Sequence, residues 1–139
     1  MPVPGPDGKM RQLIATGSLA ELERALIARG LDAAQIWDRA TDWQVPQDLR
    51  DAWIAGAAAG IAHATLSATA TTELKAVMVD GWLPSDWRAD LVQAIRDQMA
   101  GLDFAGLDMP MVIEGSVGHL ARTLGAASIP LSQRFLVDA

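Results

Sequence analysis

The chain contains no cysteine and no tyrosine. The first absence removes disulfides, thiolate metal sites and cysteine nucleophiles in any redox compartment. Basic residues are also scarce: eleven Lys and Arg face seventeen Asp and Glu, for a formal charge of −6. That sign is wrong for a surface that must neutralise a phosphate backbone, so nucleic-acid binding by this chain alone is not expected. The start, Met1 to Gly8, has no basic stretch followed by an apolar one and so no secretory signal pattern, which points to the cytoplasm. The stretch Trp53 to Thr72 carries no formal charge and is mostly Ala, Gly, Ser and Thr. So little apolar area per turn fits a buried helix of a water-soluble domain better than a membrane span.

What is present is one domain's worth of sequence: 139 residues, half of them apolar and a fifth charged. Three Pro within the first six residues predict an extended lead-in over 1–17, with a weak strand pattern from Met10 and the folded lobe spanning 18–139. Ser18 and Glu21 have capping-box spacing ahead of Leu19, Leu22 and Leu26, and Gly30 sits where a helix ends, so 18–29 reads as a helix. Asp32 caps a short second helix containing Ile36 and Trp37. Pro46 opens a long third helix running to about Ala68 or Thr71. Along it Ala52, Gly56, Gly60 and Ala64 recur every four residues, a stripe of small side chains that suits a core helix approached closely by another backbone, or a dimer seam.

The pattern then changes. Lys75 to Val79 and Met111 to Glu114 are short apolar runs rich in β-branched residues and read as buried parallel strands. Between them Trp87, Leu91, Ile95 and Met99 share one helical face over 85–101. A final helix after Ser116 carries Leu120, Leu124, Ala127, Leu131 and Phe135, kinked at Pro130. Two parallel strands do not make a finished sheet. Smothering helices, a partner chain or further strands of a longer protein would each complete it.

Little catalytic chemistry is visible. His63 and His119 are the two histidines and neither has metal-ligand spacing, so no metal site is expected. His63 suits a hydrogen-bonded packing role, and His119 lies one residue beyond Gly118. Asp80, at a strand end, lacks a paired acid, base or nucleophile in the sequence, and no catalytic residue is assigned. Trp37, Trp43 and Trp53 fall around the second and third helices, where they would fill a hydrophobic joint or mark a binding patch.

The runs Ala76-Val77-Met78-Val79-Asp80-Gly81, Trp82-Leu83-Pro84, Arg88 to Val92, Glu114 to Arg122 and Leu124-Gly125-Ala126-Ala127 through Leu131 resemble, in that order, the C-terminal part of the ROK family of sugar kinases and NagC-like or xylose-repressor-like regulators. The resemblance covers roughly 48–137, and Gln12-Leu13-Ile14 with Ser18 to Glu23 resembles the segment upstream. It implies α/β architecture: a helix-rich lobe of the actin-like ATPase, ribonuclease H-like fold with a short parallel sheet, incomplete relative to the family. It further implies a nucleotide-site remnant near Asp80, Gly81, Gly115 and Gly118, where strand-ending glycines and a helix start would admit a phosphate to exposed amides. Glu21 or Glu23 falls near a family sugar-contacting Glu, although capping explains Glu21. The family's Asp-x-Gly-x-Thr phosphate loop, catalytic pair and zinc cysteines have no counterpart in the chain. The reading that results is a sugar-responsive transcriptional regulator's effector and oligomerisation lobe, without catalytic or DNA-binding motifs, expected to take a carbohydrate ligand and to form a homodimer. The alternative is a sugar-kinase lobe completed by another chain.

Overall fold

A computed structural model of the chain describes residues 1–5, 7–38 and 42–117. The helix expected after Ser116, with Gly118 and His119, lies outside the described residues. Among the described residues the architecture is mixed α/β, with four α-helices and two small sheets, one antiparallel and one parallel. No helix among them is long and apolar enough to cross a membrane.

The first seventeen residues are not the unpaired lead-in that their prolines suggested. Strand β1 (Pro2–Pro4) pairs antiparallel with β2 (Met10–Gln12), with Val3 opposite Arg11. Proline is excluded from central strands because it lacks a donor, but a two-stranded ribbon consists only of edges. Gly8, at φ 75°, takes the left-handed conformation that lets the chain reverse, and the Gly5 amide donates to the Lys9 carbonyl at 2.8 Å. Inside the turn, the Lys9 amide and the Arg11 guanidinium hold the exposed Asp7 carboxyl below the ordinary carboxylate range. A four-residue turn of helix, α1 (Ile14–Gly17), follows.

Helix α2 (Leu19–Ala28) begins at Ser18 as expected, but the capping box does not form. Ser18 makes no side-chain cap bond, and the Glu21 carboxylate accepts instead from Arg24 at 2.6 Å. A cation one turn further along is the stronger partner for an ionised Glu than a neutral amide. At the other end Gly30 (φ 69°) closes a Schellman motif: its amide donates to Ile27 O at 2.9 Å and that of Leu31 to Leu26 O at 3.0 Å. The Asp32 carboxylate then accepts from the Ala34 amide at 2.9 Å and starts a 3₁₀ turn, Ala34–Trp37.

Helix α3 (Gln47–Thr69) is the centre of the molecule. Its stripe of small residues is occupied by the chain's own N-terminal segment. A Cβ on Gly60 would lie 2.8 Å from Thr16 Oγ1 and 2.9 Å from Leu13 Cδ1, and one on Gly56 would lie 3.7 Å from Thr16 O. Val3, 1 % exposed, reaches the same groove. Helix α4 (Ser85–Ala100) buries Trp87, Leu91, Val92, Ile95 and Met99, the face read from its periodicity.

Strands β3 (Ala76–Val79) and β4 (Met111–Glu114) are parallel, in register Ala76 to Met111 through Val79 to Glu114. Their expected burial holds on one face only. Side chains alternate across a strand, so Val77, Val79, Val112 and Glu114 share the face toward α4, while Ala76, Met78, Met111 and Ile113 share the other. Val79 and Val112 are buried; Met78 and Met111 are 62 % and 67 % exposed.

Candidate functional site

In a parallel α/β unit, ligands meet the chain where strands end and loops open. Here β3 leads into Asp80 and Gly81, and β4 into Gly115, Ser116 and Val117. The structure brings three of the four residues assigned to a nucleotide-site remnant into direct neighbourhood, and the fourth, Gly118, lies outside the described residues.

The Asp80 carboxylate dominates this corner. Its Oδ1 accepts from the Gly81 amide at 2.7 Å, and its Oδ2 accepts from the Val117 amide at 2.9 Å, so one side chain ties the loop after β3 to the loop after β4. Arg88, projecting from the first turn of α4, lies with Nη1 3.6 Å from Asp80 Oδ1 and donates from Nε to Glu114 Oε1 at 2.9 Å. The side chains of Asp80 and Arg88 are only 17 % and 14 % exposed. A Cβ added at Gly115 would fall 2.5 Å from Asp80 Cβ and Cγ. Glycine is required at 115 because the neighbouring carboxyl group fills the space. Gly81, at φ 130°, is required for its backbone conformation. The amides and cation that would hold a phosphate here are thus engaged by an anion of the chain itself.

Replacing Gly115 by Ala is accordingly expected to displace the Asp80 carboxyl, break its bond to Val117 and lower stability by about 1–3 kcal/mol, the usual range for overpacking. Chemical denaturation of the variant against the parent measures it; equal midpoints would show that the carboxyl is not seated there.

The other assigned residues lie elsewhere. Glu21 sits on α2 beside a groove of about 210 Å³ whose walls include Leu22, Trp53 and Gly56. His63 donates from Nδ1 to the Ala59 carbonyl one turn back at 2.9 Å, a packing role. Among the described residues no group of three or more His, Asp or Glu is placed to hold a metal ion.

The tryptophans divide. Trp43 meets Trp87 edge-on at 5.1 Å, Trp53 tilts against Trp87 at 6.0 Å, and the Arg50 guanidinium lies 5.2 Å over the Trp87 ring. Trp37 does not join them: it is 48 % exposed and its indole donates to Glu23 Oε1 at 3.1 Å.

Sequence reasoning missed Arg88 and Trp87 as organisers. Arg88 entered the sequence reading only as part of a stretch of family resemblance, Arg88 to Val92. The signal available was a pair of acids, Asp80 and Glu114, one just past and one at the end of two strands in register, which together call for a cation on the intervening helix.

Comparison with known proteins adds nothing to this geometry, since no family model, curated protein or solved structure matches the chain.

Proposed function

We propose that this chain is a non-catalytic effector and oligomerisation lobe of a sugar-responsive, NagC-like transcriptional regulator of the ROK family, acting in the cytoplasm as a homodimer. In this reading the described α/β unit is part of an actin-like, ribonuclease H-like lobe, and Asp80, Gly81 and Gly115 are the remnant of a nucleotide site. One observation supports it above the others: at the strand ends, the chain's own Asp80 carboxylate takes the Gly81 and Val117 amides and the flank of Arg88. A corner closed by an internal carboxylate repels a triphosphate, because like charges brought against a largely buried carboxylate cost more than they do in water. Carbohydrate remains the ligand class that the family resemblance suggests.

The reading is tested by incubating the full chain with magnesium-ATP and a panel of hexoses and N-acetylhexosamines while following ADP release. No release above the protein-free blank is expected. Sugar-dependent turnover would overturn the proposal in favour of a kinase lobe.

A further inference from the structure

The two outer edges of the parallel sheet are chemically different. In a parallel ladder alternate residues of each strand turn their N–H and C=O toward the partner, and those between turn them outward. Met111 N donates to Lys75 O at 3.1 Å and Gly115 N to Val79 O at 2.8 Å, which fixes the phase. Val77 and Val79 therefore face β4, while Ala76 and Met78 present their N–H and C=O to the outside of β3. On β4 the outward residues are Val112 and Glu114.

The β4 edge is capped. Arg96 of α4 donates from both Nε and Nη2 to the Val112 carbonyl, at 3.1 and 2.7 Å. Such a guanidinium blocks strand addition in the way that charged side chains protect edges generally. Among the described residues the β3 edge has no such cover. Among the described residues no other strand pairs with it, and Ala76 and Met78 are both exposed.

We infer that the outer edge of β3 is an assembly edge that pairs antiparallel with β3 of a second copy across a two-fold axis, giving the strand order β4-β3-β3-β4. This rests on the reading of the chain as a self-associating lobe and names the surface that performs it. The edge is self-complementary, as an isologous contact requires. With Ala76 opposite the partner's Met78, the outward N–H and C=O of both residues are satisfied from both sides. The same register sets each long Met78 side chain beside a small Ala76 on the open apolar face. Lys75 falls opposite Val79 of the other copy, so no like charges oppose one another along the pair. The four-residue strands give a small contact, and a concentration-dependent dimer follows, half-formed between about 1 μM and 1 mM.

The test is sedimentation of the full chain across that concentration range, with Met78→Pro and Met78→Ala compared. Proline deletes the outward N–H and leaves the β4 ladder untouched, a change that edge strands accept. The parent is expected to double in mass with concentration. The proline variant should stay monomeric with an unchanged far-ultraviolet circular dichroism spectrum, and the alanine variant, with its donor intact, should still dimerise. A parent that stays monomeric throughout overturns the inference. A folded proline variant that still dimerises also overturns it, while leaving self-association itself standing. Should the proline variant fail to fold, amide exchange of the parent decides: protection of Ala76 and Met78 that rises with concentration supports the edge, and its absence refutes it.

Discussion

Trp87→Ala is expected to be the most damaging single truncation in the described part of the chain, lowering stability by about 3–5 kcal/mol. The ring is 4 % exposed and stands where α3, α4 and the segment around Trp43 meet. Its loss removes two aromatic contacts, strips the Trp43 and Trp53 rings of their common partner, and leaves Arg50 without the face it covers. Arg50 would retain its ion pairs with Asp90 at 2.5 Å and Asp86 at 3.5 Å, but both carboxylates are largely exposed, and such pairs contribute little. Domains of this size are stable by roughly 5–15 kcal/mol, so the variant is expected to melt many degrees below the parent. Thermal unfolding followed by tryptophan emission checks it. A shift of only a degree or two would mean that the aromatic cluster is peripheral.

The second large effect is expected on the small-residue stripe of α3, where three substitutions separate helix propensity from space. A Cβ at Gly56 meets only an ordinary contact, 3.7 Å from Thr16 O, so Gly56→Ala should stabilise by about 0.4–1 kcal/mol through the unfolded state. At Gly60 the same change brings a Cβ to 2.8 Å from Thr16 Oγ1 and 2.9 Å from Leu13 Cδ1. The propensity gain of about 1 kcal/mol is then offset by the displacement of α1, and Gly60→Ala should be close to neutral. Gly60→Leu leaves nowhere for the side chain to go and should destabilise by about 3 kcal/mol, the upper end for overpacking. It should also lift the β1–β2 ribbon and expose Val3, which limited proteolysis near Arg11 would report. A Gly60→Leu variant as stable as the parent would place the N-terminal segment somewhere other than on α3.

The stripe shows how much of this fold was open to reading. Apolar periodicity located α2 and the buried face of α4, because those patterns record burial directly, and Pro46 with the four-residue spacing of small residues located α3. It also suggested that something packs closely on Gly56 and Gly60, but spacing along one helix carries no information about which segment arrives. That segment is the N-terminal ribbon, hidden because three prolines look like strand breakers until both strands prove to be edges. The capping box failed for a related reason: Ser18 and Glu21 had the right spacing, and Arg24, three residues on, competed for the same carboxylate. The parallel pair was legible from its β-branched runs, whereas the exposure of Met78 and Met111 was not, since an apolar run looks the same whether one face or both are covered. At the candidate site, Asp80, Gly81 and Gly115, named through the family resemblance as a nucleotide-site remnant, lie side by side. That the carboxyl of Asp80 is the reason for glycine at 115 depends on three-dimensional proximity and has no one-dimensional signature.

The account depends on a sheet with one edge sealed by Arg96 and the other left for a second copy. Residue-resolved amide hydrogen exchange across β3, measured on the full chain from dilute to concentrated solution, tests this most directly. Val77 and Val79, bonded to β4, should be protected at every concentration, while Ala76 and Met78 should exchange freely when dilute and become protected as the chain is concentrated. Protection of Ala76 and Met78 at the lowest concentration, or free exchange of both at the highest, would contradict it.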